Sequence, residues 1–411
     1  MTREPRPRNG ARRPVCMLVH SYYEEDPRVR REAESLVAHG RPVDVYALRR
    51  PGDGPVGEIE GVRVHRIDVQ RHQGAGLGTY LAEYLAFFGR AGWAATRAHR
   101  RRRYALLQVH TLPDFLVFAG LPLRLAGVPL VLDLHEAMPE FFRSRFPRAS
   151  NPLVRRLLLA QERLAIAAAD AAITVNDALA DRLEAQGVRR DKVTVVLNSP
   201  SLARFDPSRY PIRPFLADGQ LRLVYAGALT PTYELDVVLA ALARIEADRP
   251  ELRAHLDLYG RGDSEPALRA RAEALGVAGR VTFHGRIPIE EVPAAIAAAD
   301  IGLAPTRRDR FTDVSLSTKI FEYAAMARPV VATRLPMVER TFAEGTVATY
   351  PAGDPEAMAD AILGLVDRPD ERAARVERTL ERVRELAWER EAERYVGLIE
   401  RLARDGLSSP S

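Results

Sequence analysis

A chain of 411 residues, 46% of them hydrophobic and 28% charged, is long enough for two domains of roughly 200 residues, each with its own core. Its 60 Lys and Arg against 55 Asp and Glu leave a net charge of +5, which permits attraction to nucleic acid, phosphates or anionic lipid without choosing among them. The single Cys16, in the apolar run PVCMLVH, excludes an intramolecular disulfide and a cysteine-rich metal site and fits a reducing cytoplasm.

Arginines crowd the N-terminus, but the apolar run behind them ends at His20 and is too short for a secretory core. Candidate strands follow at 15–19, 43–48, 62–67, 106–109, 130–134, 172–175 and 193–197, with helical patterns between most of them. The longest apolar region, FLVFAGLPLRLAGVPLVLDL, is broken by Arg124, Gly127 and Pro129, so it reads as a helix and a buried strand rather than a membrane span. Residues 199–215, SPSLARFDPSRYPIRPF, are proline-rich and aperiodic, as an interdomain linker would be. A second series of strands is expected at 221–225, 255–259, 281–283, 301–304, 330–332 and 346–350, and residues 355–405 read as successive charged helices. Two alternating series predict an α/β protein of two Rossmann-like doubly wound parallel sheets: an N-terminal domain over 1–200, a C-terminal domain over 201–370, and helices over 371–411 packing back across the first domain. Such sheets bind ligands beyond the carboxyl ends of their strands, here in a cleft between domains. His20, His110, His135 and Glu136 all follow predicted strands.

The stretch FTDVSLSTKIFEYAAMARPVVAT, residues 311–333, sets a small polar turn among apolar surroundings. Ser317 or Thr318 can cap a helix there, and the bare N–H groups of a helix start form a seat for an anion such as a diphosphate. Lys319, one of only two lysines beside Lys192, stands next to that turn, and Glu322 one turn further on can accept hydrogen bonds from sugar hydroxyls. A capped core helix with a solvated lysine is the structural alternative. Asp26 followed by Pro27 is a helix start; Tyr22, Tyr23 and Arg28 around it are acceptor candidates as well. Asp114 either binds an acceptor with His110 or sits in the first turn of a helix. TYLAEYLAFFGRAGWAATRAHRRRR reads either as a helix packing by Leu81, Leu85 and Phe88 or as a surface docking on an anionic bilayer.

Taken together, VHSYYEEDPRVRREAESLVAHG, VHTLPDF, VLDLHEAMPEFF, ADAAITVNDALADRL, VTVVLNSP, LVYAGALTPTYELDVVLAAL and LSTKIFEYAAMARPVVAT resemble glycosyltransferase family 4 members of the GT-B fold. The resemblance spans residues 15–389 in the right order, and STKIFEYAAMARPVVA and DLHEAMPE are its most specific parts. It implies transfer of a sugar from a nucleoside-diphosphate donor with retention of configuration and without a bound metal or other cofactor. The donor then lies on the second domain, at Gly227, Arg261, Ser317, Thr318, Lys319 and Glu322, with Glu322 on the ribose and Lys319 on the leaving phosphate. The acceptor lies on the first, among His20, Tyr22, His110, Asp114, Glu136 and Glu140, and His135 stands at the reacting centre. Asn198 matches a hinge asparagine.

The chain departs from the family at the N-terminal turn, where Tyr22, Tyr23, Glu24 and Glu25 stand in place of a glycine-rich turn, and at three donor-side positions. The usual arginine and lysine after the first strand of the second domain fall on Ala228 and Tyr233, and the first glutamate of the usual pair falls on Val314. Lys319, Arg261, Arg307 and Arg308 are the candidates for the missing positive charge. Rival readings are a nucleotide-sugar epimerase of similar architecture and a basic nucleic-acid-binding protein, although no ribonucleoprotein motif or zinc module is present and no nucleic-acid partner is expected. GAGLG and YGRGD do not form a nicotinamide fingerprint. A cytoplasmic protein, peripheral at most on a membrane, is the expected setting.

Overall fold

The computed structural model describes residues 12–70, 76–146 and 150–405; most of the arginine-rich N-terminus lies outside these. Two compact units are present, Met1–Asn198 with Glu391–Ser411, and Ser199–Arg390.

The strands of the first unit are β1 (Val15–Leu18), β2 (Val43–Leu48), β3 (Val56–Ile59), β4 (Val62–Ile67), β5 (Leu106–His110), β6 (Leu130–Leu134), β7 (Ala171–Thr174) and β8 (Val193–Val195). They form an eight-stranded sheet in the order β3-β4-β2-β1-β5-β6-β7-β8. Every pairing is parallel except the β3–β4 hairpin. β1, β2, β5 and β6 are buried throughout, which is why they read as continuous apolar runs. The edge strand β3 was not anticipated. Its VGEI alternates exposed and half-buried positions, and the turn into β4 uses Glu60 at φ 48° and Gly61 at φ 76°, the left-handed pair that a tight hairpin requires. Strand order reverses at β1, between β2 and β5, so the loops after β1 and β5 diverge at the sheet's carboxyl edge.

The second unit contains β9 (Arg222–Ala226), β10 (His255–Tyr259), β11 (Val281–Gly285), β12 (Ile301–Ala304), β13 (Val330–Thr333) and β14 (Ala348–Tyr350). All are parallel, in the order β11-β10-β9-β12-β13-β14, with the reversal at β9 and β12. The segment 199–215 is built into this unit: Phe205 is buried in its core, and Ser201 Oγ donates to Glu389 at 2.8 Å. Of the terminal helices, Pro369–Glu385 packs here through Val383, so the chain returns to the first unit at Glu391 rather than at 371. There Arg41 grips Glu400 with two 2.6 Å hydrogen bonds, and Tyr395 donates to Gln108 at 2.7 Å. None of the described helices is long and apolar enough to cross a membrane.

Candidate functional site

At the carboxyl edge of the second sheet, the loops after β9 and β10 are laced together by their backbones. Gly227 N–H donates to Tyr259 O at 2.8 Å, Leu229 N–H to Arg261 O at 3.0 Å and Ser264 N–H to Leu229 O at 2.9 Å. Gly260, at φ +141°, lies so close that a Cβ there would stand 1.8 Å from Gly227 O, and only a residue without one fits. Gly260→Ala is therefore expected to cost about 1–3 kcal/mol or more. Thermal melting checks this, and an unchanged melting temperature would show that the loops are free to separate.

Lys319 reaches over this crossing. Its Nζ lies 4.0 Å from the ring centre of Tyr233 and 5.3 Å from that of Tyr225, and a Cβ on Gly227 would meet Lys319 Cε at 2.2 Å. The ammonium is held against aromatic faces and a bare glycine backbone, and among the described residues no carboxylate pairs with it. Tyr233, standing where the resembled family has a cation, thus supplies a π-face instead. Arg307 is bound to Asp236 at 2.9 Å and Arg308 to Asp313 at 3.1 Å, while Arg261 is exposed beside Gly285.

The helix Thr318–Ala325 forms because Ile320, Phe321, Ala324 and Ala325 share an inward face, and Tyr323 fixes its place. Ala226 N–H donates to Tyr323 Oη at 3.0 Å, and the ring fills the space left by Gly302. Ser317 is the N-cap residue, but its side chain caps nothing; its buried Oγ has no hydrogen-bond partner among the described residues. Ile320 N–H turns back to Ser317 O at 3.3 Å, whereas Thr318 and Lys319, the first two residues of the helix, have no carbonyl one turn before them to accept their N–H groups. Glu322 is half-buried on the other side of the helix. Gly227, Ser317, Thr318, Lys319 and Glu322 thus lie at one edge of one sheet.

In the first unit, β6 carries Asp133 in its buried interior and delivers His135 at its end. Arg28, 3% exposed, donates to Asp133 at 2.7 and 3.1 Å, to Val196 O at 3.2 Å, and lies 3.2 Å from Glu32. His110 Nδ1 lies 3.0 Å from Asp133 Oδ2 and 3.2 Å from His135 Nε2, which is itself 3.1 Å from the same oxygen. Gln108 donates to Glu32 at 2.6 Å and accepts from Tyr395. His110, Asp133 and His135 are a set that could hold a divalent cation, but Arg28 already occupies Asp133 and its charge opposes a second cation there.

Burial, reinforced by Asp133, pushes Glu32 up to about 8. Burial also pushes Asp133 upward, but Arg28 and the two histidines outweigh it and hold that carboxyl well below its usual range. Folded Glu32 keeps a proton that the unfolded chain releases near 4.5. Its contribution to stability is complete below that value and is lost as pH rises towards about 8, whereas the contribution of Asp133 is lost in acid. Glu32→Gln is expected to flatten the decline in melting temperature between about pH 5 and about pH 8; parallel curves for variant and wild type would contradict this.

The remaining first-unit candidates are dispersed. His20 is 7% exposed and meets Tyr84 and Phe87 edge-on. Tyr22 packs against the core, and Glu140 is bound by Arg182 at 2.6 Å. His110 and Asp114 are at 0% exposure, closed to an acceptor, and burial followed by Glu162 raises the Asp114 carboxyl well above its usual range. Arg28 is likewise an internal ion-pair partner and is withdrawn as an acceptor contact. Asn198 accepts from Arg31, within the first unit. His135 and Glu136 are half-buried, as are Tyr22 and Glu140, and burial lifts Glu136 to about 7 against the pull of His135. Sequence reasoning missed Asp133, Glu32, Gln108 and Tyr395. The available signal for Asp133 and Gln108 was a polar residue in the interior of a buried strand, LVLDL and LLQVH.

A family model described as "Glycosyl transferase 4-like domain" matches residues 26–199, and one described as "Glycosyl transferases group 1" matches residues 220–368. D-inositol 3-phosphate glycosyltransferase of Corynebacterium urealyticum is 28% identical over 387 residues, covering 90% of this chain and 88% of the relative. D-inositol 3-phosphate glycosyltransferase 2 of Catenulispora acidiphila is 28% identical over 276 residues, 64% of this chain, and the match spans only 62% of that relative's length. Among solved structures, sucrose-phosphate synthase of Thermosynechococcus elongatus superposes with a TM-score of 0.77 at 20% identity, covering 95% of this chain and 99% of the other. HepE of Anabaena in complex with UDP-glucose superposes with a TM-score of 0.66 at 16% identity, covering 94% and 99%.

Proposed function

Because the chain belongs to the GT4-type glycosyltransferases and has their GT-B fold, we propose that it moves a sugar from a nucleoside-diphosphate donor to a hydroxyl acceptor, with retention of configuration and without a bound metal. The observation that carries this reading is Lys319: a nearly buried ammonium that no carboxylate pairs with among the described residues, pressed against Gly227 near the uncapped start of Thr318–Ala325. A leaving diphosphate gains negative charge as the glycosidic bond breaks. Backbone N–H groups at a helix start together with one desolvated cation stabilise that charge more in the transition state than in the ground state. Lys319 replaces the two cations that Ala228 and Tyr233 no longer provide. Glu322 accepts from the ribose hydroxyls, His135 hydrogen-bonds at the reacting centre, and the acceptor proton passes to the departing phosphate. The UDP-glucose bound by HepE supports a sugar nucleotide as donor class. The single buried Cys16 supports a cytoplasmic site of action. An anionic membrane is the partner proposed for the acceptor side.

A thermal-shift panel of uridine, guanosine, thymidine and adenosine diphosphate sugars is expected to pick out a stabilising donor, because a ligand of the folded state alone raises the melting temperature. Glu322→Ala is then expected to weaken that donor by about tenfold or more while the fold stays intact. Titration calorimetry decides it, and wild-type affinity in the variant would remove the ribose role.

A further inference from the structure

We infer that the outer faces of two helices in the first unit, Leu77–Arg102 and Pro152–Ala168, form a surface that docks on an anionic lipid bilayer, and that the acceptor hydroxyl belongs to a lipid of that bilayer. The inference rests on the transferase reading and names its acceptor class.

The first helix turns Phe87, Ala91 and Ala95 inward. Leu81 and Leu85, the residues expected to pack it, instead stand 49% and 53% exposed, with Trp93 at 66%. The second helix buries Ala165 and Ile166 and leaves Leu153, Leu157 and Leu164 at 65%, 61% and 61%. The two helices thus turn leucines and a tryptophan to solvent where a water-facing helix would carry polar residues.

The charge on these faces has one sign. Arg97, Arg100 and Arg101 on the first helix and Arg155, Arg156 and Arg163 on the second are exposed, while Glu83 and Glu162, the helices' only acids, are buried. Protruding apolar side chains among cations without exposed carboxylates match the headgroup region of an anionic leaflet. A two-fold pairing of the same face would set arginines against arginines, and nucleic acid would leave the leucines uncovered. Since no described helix can span a bilayer, the chain would lie on it.

Position ties this surface to the site. Both helices pack on the segment Asp114–Gly120 and so cover the same face of the sheet. One starts beyond β4 and the other beyond β6, so both begin at the carboxyl edge where His135 and Glu136 stand. A hydroxyl carried by a docked lipid would meet the unit along that edge.

Flotation of the full chain with vesicles of phosphatidylcholine, alone or mixed with phosphatidylglycerol, tests the inference, with binding of a sugar nucleotide measured in parallel. Binding to the mixed vesicles, weakened by salt, is expected. A Leu85→Glu, Leu157→Glu variant should lose about tenfold or more of it, and an Arg97→Gln, Arg100→Gln, Arg101→Gln variant a similar factor on anionic vesicles alone, both with unchanged melting and sugar-nucleotide binding. Failure to float with either vesicle while sugar nucleotide still binds overturns this inference and spares the donor reading. Flotation without sugar-nucleotide binding supports the surface and overturns the donor reading. A dimer broken by the leucine substitutions, or oligonucleotide binding in preference to vesicles, assigns the face to another partner and overturns the inference.

Discussion

Arg28→Met is expected to destabilise the first unit by about 3–5 kcal/mol, because it strands Asp133 and Glu32 as buried carboxyls without their cation. Arg28 and Asp133 are 3% and 0% exposed and joined by two hydrogen bonds, so water cannot replace the lost partner. A loss of this size is a large fraction of the stability of an ordinary domain. The fitting control is Arg269→Ala, which breaks a 2.8 Å pair with Glu265 between side chains 51% and 27% exposed and should cost less than about 1 kcal/mol. Urea unfolding followed by a probe in the first unit separates the two, since two units need not unfold as one. Equal midpoints for both variants would mean that the Arg28 cluster is solvated in the folded protein.

Lys319→Met is expected to lower turnover by about 100- to 1,000-fold, the loss typical of removing one group that stabilises developing negative charge. Methionine keeps the apolar stem that lies against Gly227 and the two tyrosine rings and removes only the ammonium, so the fold should lose about 1–2 kcal/mol at most. Steady-state rates with the donor found in the panel, beside a melting curve, give both quantities. Turnover near the wild-type value would remove Lys319 from the transition state and pass the role to Arg261.

The buried strands were legible in the sequence because burial on both faces leaves unbroken apolar runs. His255–Tyr259 and Ile301–Ala304 match the reading residue for residue. The edge strand β3 escaped because VGEI alternates and is half exposed, and its only marker was the Glu60–Gly61 turn. Periodicity located the helix Leu77–Arg102 and placed Phe88 against the core, but it put Leu81 and Leu85 on the wrong face. Apolar residues occur on both sides of it, and only the sheet decides that Phe87 and Ala91 go inward while Leu81 and Leu85 stay out. The helix start at Ser317 could be read because small polar residues between a buried strand and an apolar helix have few other uses. The aromatic seat of Lys319 could not, since Tyr225 and Tyr233 reach it only through the crossing of two loops. The Arg28–Asp133–His110–His135 cluster was equally hidden, being assembled from a helix and two strands far apart in sequence. His110 looked like a ligand contact by its place after a strand, but strand-end placement does not report burial; Asp114, open between an acceptor contact and the first turn of a helix, takes the latter place.

The most direct measurement is a crystal structure of the chain with the sugar nucleotide that stabilises it most. The account predicts the diphosphate within hydrogen-bonding distance of the backbone N–H groups at Thr318 and Lys319 and of Lys319 Nζ, with Glu322 on the ribose. A diphosphate bound elsewhere, with Lys319 still enclosed by Tyr225 and Tyr233 and touching no phosphate, would contradict it.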